Sequence, residues 1–437
     1  MNTKYKTESK KGMAHRRGIK VGMAKLSELL KSRGYVYQHS CEKLEEITDG
    51  PARTVYLGVD PTAESVHVGN LGGYMLLRRF KDAGHTIILV LGGGTGMIGD
   101  PKPDMERPLL DEATIAARVD KLKEQAGKLL GDGEVQVVNN ADWLAPLNLL
   151  EFLRDTGKHF TVNALMKKDA ISARLKSEEG ISYTEFSYPL LQAYDFWYLN
   201  KEHSCDVQVG GSDQWGNIVA GVDLIRRKEN KVVYGLTMPL ITDKTTGKKF
   251  GKSEGNAVWL DPAMTSPYAF YQFWLNTSDD NVPEYLKLFT LLSDAEIDAV
   301  IELHKRDHKE RHGQNALARE VTKLVHGEVE AEKAEKITSV LFGEGGIDSL
   351  DDGAIAMLKS SAPSYAVHVD SFLVDALVGG GLASSKTEAR RFITEKAVLL
   401  NAQAVTEVDQ KLSNEDFHNG VALLKRGKKN VCVLTLS

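Results

Sequence analysis

The sequence predicts an α/β fold: a parallel sheet with helices on both faces, then a helical stretch, then a small α+β module. Three observations point there. From Arg53 to about Leu240, short strand-like runs (RTVYLGV, TIILVL, EVQVVN, DVQVGG and MPLI) alternate with helical patterns such as TIAARVDKLKEQAGKLL. Such alternation yields parallel strands, because each crossover helix brings the chain back to the same end of the sheet. From Pro267 to about Lys359 the strand patterns stop and helical spacing dominates. Ser360-Ser361-Ala362-Pro363-Ser364 then reads as a linker, and short mixed elements follow from about Tyr365.

At 437 residues the chain can form two or three domains with a sizeable core. Hydrophobic residues at 42% and charged residues at 26% describe an ordinary soluble protein. A net charge of −5 does not advertise nucleic-acid binding, so any RNA site must be a local basic patch. Cys41, Cys205 and Cys432 are too few and too scattered for a disulfide framework or a zinc site, which fits a reducing cytoplasm. No apolar run is long enough to span a membrane. Residues 1–22 carry Lys4, Lys6, Lys10, Lys11, Arg16 and Arg17 with little acid. They read as a disordered extension, or as an upstream start with Met13 or Met23 as alternatives; a transit peptide would show more Ser and an amphipathic pattern.

The chain is organised around Tyr56–Leu71 (YLGVDPTAESVHVGNL), where a strand over Arg53–Val59 gives way to a helix starting near Gly69. A helix N-terminus offers unpaired N–H groups and a partial positive charge, so Asp60, Thr62, His67, Gly69 and Asn70 surround a seat for an anion. Gly69 lets the backbone approach a ligand, while His67 and Asn70 can donate to phosphate oxygens. An ordinary strand-to-helix turn has similar features. Far downstream, Lys249-Phe250-Gly251-Lys252-Ser253 places two lysines three apart on a polar loop, a clamp for polyphosphate. It falls short of a P-loop, since the earlier glycine would have to stand at Thr246.

Together the two segments resemble the paired nucleotide signatures of class I aminoacyl-tRNA synthetases, and their surroundings are similar to those of the bacterial tyrosyl branch. The resemblance runs from about Ala24 to the end. It implies a Rossmann-like catalytic domain over 23–256 with a dimer-forming insertion, an α-helical anticodon-side domain over 257–360, and an RNA-binding domain over 365–437. It also implies that tyrosine and ATP form tyrosyl-adenylate and pyrophosphate before the tyrosyl group passes to tRNA(Tyr). Thr62, His67 and Asn70 would meet the developing pyrophosphate from one side, Lys249 and Lys252 from the other, with Asp60, Gly69 and Ser253 also at ATP. Mg²⁺ travels with ATP, and the sequence shows no protein cage for a metal. Two departures are an Asn at 70 where His is commoner, and Phe250 and Gly251 in place of Met and Ser. The amide and both lysines remain, so altered rates rather than lost activity are expected.

The remaining motifs follow in order. Gly92–Pro101 (GGGTGMIGDP) contains a formal GxGxxG over Gly94–Gly99. A dinucleotide site would need an acid about 20 positions on, after a second strand, and that position falls near Asp120 inside a helix. By resemblance Asp100 instead holds the substrate ammonium; by itself the segment could be a βα turn. Asn140 is a plausible pocket residue closing a strand, whereas packing is the stronger reading for Trp143. The segment through HFTVNALMKKDAISARL resembles the family's dimer-forming insertion. In YPLLQAYDF, Tyr188, Gln192 and Asp195 fall on one helical face whose other positions are apolar, so a ligand could satisfy them. By resemblance Asp195 accepts from the substrate phenol, with Tyr56 at the same hydroxyl; Tyr188, Gln192 and Gln208 serve the ammonium. In VQVGGSDQWGN, Gly211 and Asp213 would hold adenosine and Gln214 the reacting carboxyl region. Strand carboxyl ends are where open α/β sheets bind ligands.

His312, Gln314, Leu317, Ala318, Val321, Leu324 and Val325 share a helix whose apolar members are core. In the tail, Lys386, Arg390 and Arg391 cluster on one helix and Lys425, Arg426, Lys428 and Lys429 form a second basic knot; such patches suit RNA phosphates. This pattern resembles a small RNA-binding module of a ribosomal small-subunit protein. The alternatives are a tryptophanyl-like enzyme, which should lack the tail and the Tyr56/Asp195 pair, and a non-catalytic RNA-binding paralogue, which would lack His67, Lys249 or Lys252.

Overall fold

The computed structural model describes residues 25–102, 110–131, 133–178, 180–247, 250, 252–253, 256–343, 345–427 and 430–437; residues 1–22 lie outside that set. The first half is a six-stranded sheet: β1 (Gln38–His39), β2 (Thr54–Val59), β3 (Thr86–Leu91), β4 (Gln136–Asn139), β5 (Val207–Gly211) and β6 (Tyr234–Met238), in the order β1-β6-β5-β2-β3-β4. β2 to β6 are parallel, and β1 runs antiparallel along β6. From β2 the chain winds outward to β3 and β4, then returns to β5 on the other side. That reversal opens a crevice at the carboxyl ends of β2 and β5.

The parallel strands are covered on both faces, so they read as apolar runs rather than alternations. Ile87, Ile88, Leu89, Val90 and Leu91 of β3 are all buried. The Val68–Asp82 helix packs Leu71, Tyr74, Leu77 and Phe80 inward beside this sheet. Two sequence readings shift. The final strand is YGLTM, ending at Met238, because Pro239 has no N–H to continue a ladder and MPLI therefore cannot be the strand. β1 was not expected: two half-buried residues are too short to show a period. A short pair follows, β7 (Lys252–Ser253) with β8 (Asn256–Ala257).

The next stretch is helical as expected, over Pro267–Leu275, Val282–Phe289, Asp294–Arg306, His312–His326, Glu328–Phe342 and Asp352–Ser361. Ser293 and Glu296 close a capping box that starts the Asp294–Arg306 helix. Arg79 donates to Thr290 O (2.6 Å) and Arg33 to Leu292 O (2.6 Å), tying the helices to the sheet domain. The Phe250 ring lies among Phe273, Trp274, Tyr285 and Phe289, at centroid distances of 4.8–5.7 Å.

The tail forms a second sheet from β9 (Ser364–Val367), β10 (Val398–Leu400), β11 (Gln403–Ala404), β12 (Val421–Arg426) and β13 (Asn430–Leu436), ordered β11-β10-β12-β13-β9. One face packs on its own helices, Leu373–Gly379 and Lys386–Thr394, through Leu377, Ala389, Ile393, Ala422 and Leu424. Val421, Leu423 and Val433 on the other face join the core of the preceding helices. The expected linker is therefore nearly absent: the helix runs to Ser361 and β9 starts at Ser364, pairing with Val433. Packing of the tail sheet overrides the flexible composition. Lys425 needs a correction for the same reason. A period of two puts it beside Val421 and Leu423 on the buried face, where its ammonium donates to Val340 O (2.7 Å), so it braces two domains and does not face RNA.

Candidate active site

The crevice is a cavity of about 730 Å³, and fourteen of the residues expected to bind tyrosine or ATP line it. Tyr56, Asp60, Asp100, Tyr188, Gln192, Asp195, Gln208 and Gln214 line it, as do Thr62, His67, Gly69, Asn70, Gly211 and Asp213. Lys249 lies outside the described residues, as do Gly251, Lys428 and Lys429. Lys252 and Ser253 are placed only by their backbone, in β7.

The Tyr183–His203 helix, N-capped by Ser182, presents Tyr188, Gln192 and Asp195 on one face. Asp195 is 4% exposed, and its two carboxylate oxygens are held separately: Asn140 Nδ2 donates to one at 2.9 Å, Trp143 Nε1 to the other at 2.7 Å. Burial pushes this carboxyl up to about 7 against those two donors, with the charge of Asp60 adding to the rise. Beside it Tyr56 packs on Phe196 with centroids 5.3 Å apart, and burial likewise raises its phenol. The Tyr56 hydroxyl, Gln192 Oε1 and Gln208 Oε1 are buried without a hydrogen-bond partner among the described residues. Buried polar atoms are normally satisfied, so three orphans lining one cavity mark where a polar ligand belongs.

Two further carboxylates come next. Asp60, just past β2, accepts from Thr95 Oγ1 (2.8 Å) and from the Tyr188 hydroxyl (2.8 Å). Asp100 accepts from Gln214 Nε2 (2.8 Å) and Asn217 Nδ2 (3.2 Å). Tyr188 is thus turned to Asp60, and Gln214 to Asp100. Lys168 donates to Gly216 O, and burial lowers its ammonium to about 8, opposed by the charge of Asp100. At the helix start, His67 is the N-cap and its Nδ1 accepts from the Gly69 N–H (3.0 Å). Its ring meets Trp259 edge-on at 5.8 Å. Gly69 is required, since a Cβ there would stand 2.9 Å from the Phe250 carbonyl. At Gly211 a Cβ would come within 2.6 Å of an Asp213 oxygen.

Sequence reasoning missed the role of Trp143, whose indole N–H is the shorter of the two contacts on Asp195. The available signal was chemical: a buried indole N–H needs an acceptor, and Asn140 three residues earlier was already in view. Thr95, Asn217 and Lys168 carried no such signal. In the tail, Lys386, Arg390 and Arg391 are exposed; Lys386 pairs with Asp375 (2.6 Å), while Arg391 and Arg426 lie over the Phe392 ring at 5.2 and 4.8 Å.

The parallel sheet whose order reverses at β2 and β5, with a helix N-terminus at the crevice, is the fold of a class I aminoacyl-tRNA synthetase. Residues 49–343 match the family model for tRNA synthetases class I (W and Y), and residues 354–434 match that for the tyrosine–tRNA ligase SYY-like C-terminal domain. A tyrosine–tRNA ligase of Roseiflexus castenholzii is 44% identical over 95% of this chain and 100% of its own length. One from Streptococcus equi subsp. zooepidemicus is 45% identical over 93% and 99%. A C-terminally truncated mitochondrial tyrosyl-tRNA synthetase of Aspergillus nidulans superposes with a TM-score of 0.65 at 32% identity, covering 71% of this chain and 92% of that one. The chain belongs to the tyrosine–tRNA ligase family.

Proposed function

We propose that this chain activates tyrosine with ATP to tyrosyl-adenylate and pyrophosphate, then transfers the tyrosyl group to the 3′ end of tRNA(Tyr). The observation that carries the reading is the part of the cavity lining where a carboxylate held by Asn140 and Trp143 lies near the unpartnered Tyr56 hydroxyl. A phenol is the group that satisfies both, donating to Asp195 and accepting from Tyr56. Gln192 and Gln208, with Asp60 and Asp100 beyond, suit the ammonium. The substrate carboxylate attacks the α-phosphate directly, so the site contributes positioning and charge stabilisation. His67, Thr62 and Asn70 at the helix N-terminus receive the pyrophosphate from one side, with Lys249 and Lys252 assigned to the other. Gly69, Gly211, Asp213 and Ser253 are assigned to ATP, and Mg²⁺ enters with it.

The exposed Lys386, Arg390 and Arg391, with Arg426 beside Phe392, are assigned to tRNA phosphates. The insertion exposes Leu149 (67%), Leu150 (76%) and Val162 (59%), which supports a homodimer that covers them. The three cysteines are free, which supports a cytoplasmic protein, and among the described residues no helix is long and apolar enough to cross a membrane. ATP–pyrophosphate exchange run with each of the twenty amino acids tests the reading. Exchange dependent on tyrosine alone is expected; exchange with tryptophan, or none with any amino acid, overturns it.

A further inference from the structure

Away from the crevice, Asp279, His304 and His308 bring one ligand atom each to within 4.8 Å of one another. His304 lies in the last turn of the Asp294–Arg306 helix and His308 starts the short 3₁₀ helix after it, so an i, i+4 pair straddles the helix end. Asp279 comes from the turn between the Pro267–Leu275 and Val282–Phe289 helices. Its Oδ1 is 3.8 Å from His304 Nε2 and 3.7 Å from His308 Nδ1. Ligands about 2.0–2.1 Å from a tetrahedral zinc stand about 3.3–3.5 Å apart, so two edges of the triangle are within a few tenths of an ångström of that spacing.

A further feature favours a cation there. His304 is 1% exposed and its Nε2, the nitrogen turned to Asp279, makes a single long contact of 3.3 Å to the Asp279 carbonyl. The Gln314 side-chain amide donates to the same Asp279 oxygen at 2.6 Å and to Thr277 O at 3.3 Å, the kind of outer support that orients a ligating carboxylate. Asp279 and His308 are half exposed, leaving water to complete the coordination.

We propose that Asp279, His304 and His308 bind a divalent transition metal of the zinc class, separate from any magnesium that enters with ATP. The donor set of two imidazoles and one carboxylate suits zinc and excludes magnesium or calcium as the preferred ion. Bound there, the ion pins the Asp279 turn to the end of the Asp294–Arg306 helix. That turn also holds the chain ahead of the lysine loop, since the Lys244 N–H donates to Asn281 Oδ1 (3.0 Å) and Thr245 Oγ1 to Ser278 Oγ (3.0 Å).

The test uses the full chain, stripped with chelator, dialysed and titrated with Zn²⁺, with bound metal read by elemental analysis and thermal midpoint read alongside. His308→Ala and Asp279→Asn change exposed positions and leave the buried His304 in place. The expected result is about one zinc per chain that raises the midpoint, with affinity falling in both variants by more than the ~10–100-fold that losing an outer-shell partner costs. Cobalt in place of zinc should show no thiolate charge-transfer band. No zinc uptake by the stripped chain, uptake by both variants equal to the parent's, or uptake lost only in Cys41→Ser overturns the proposal.

Discussion

At the residue scale the decisive group is Asp195. A site that hydrogen-bonds a substrate hydroxyl rejects the analogue lacking it, because its own buried acceptor is then left unpaired. Tyrosyl-tRNA synthetases are themselves the known example, with roughly 10⁵-fold rejection of phenylalanine; on the proposed function, that discrimination is assigned to Asp195. Asp195→Ala should weaken tyrosine activation far more than phenylalanine activation, collapsing the preference in exchange kinetics. Full discrimination in the variant would place the reading of the hydroxyl elsewhere. Trp143→Phe keeps the ring and removes one donor to Asp195. Losing a hydrogen bond to a charged acceptor should cost about 1.5–3 kcal/mol of folding stability, readable from denaturant midpoints. The same carboxyl has a pH signature. Its native pKa of about 7 stands above the unfolded value of about 3.9, so between those values the native state holds a proton that the unfolded state has lost. Its contribution to stability therefore falls as pH rises through that window. Denaturant midpoints at pH 5 and pH 8 should show this fall in the parent chain and a flatter profile in Asp195→Asn.

At the scale of the element, the Val68–Asp82 helix start is a joint between three parts of the chain. His67 caps it, Gly69 admits the Phe250 carbonyl, and Phe250 is held by aromatic rings of the helical domain. Gly69→Ala cannot relax cheaply, because the obstructing atom belongs to backbone. The variant should slow adenylate formation at least ~10-fold with tyrosine affinity nearly unchanged, since the disturbance falls at the helix N-terminus to which the proposed function assigns the pyrophosphate. Pre-steady-state fluorescence separates the two terms; an equal loss in tyrosine affinity would mean that the joint supports the whole pocket.

On the scale of the whole molecule, the tail cannot be treated as an appendage. Val421, Leu423 and Val433 pack into the helical core, and Lys425 braces Val340. Removing residues 365–437 would expose that apolar face, so truncation mixes loss of the proposed RNA contacts with lost stability. Substituting Lys386, Arg390, Arg391 and Arg426 together by Ala avoids the mixture. Exchange activity should stay at the parent level while tRNA charging weakens and its salt dependence shallows, as expected when phosphate contacts are removed. Unchanged charging would show that this face does not meet tRNA.

The sequence by itself determined the alternation of strands and helices, the strand-to-helix junction at Tyr56–Leu71 and the polar face of Tyr188, Gln192 and Asp195. Each is a local pattern, carried by periodicity or by what glycine, proline and capping residues allow. The tertiary structure decided what those residues touch. Trp143 turned from packing to a donor on Asp195, Tyr188 turned to Asp60, and Lys425 turned inward, all through partners tens to hundreds of positions away. It also decided that Ser360–Ser364 is hardly a linker, and it assembled Asp279 of a turn with His304 and His308 at the end of a later helix. A side chain's neighbours across the fold leave no period in the sequence, so only the closed packing of sheet, helices and tail could supply them.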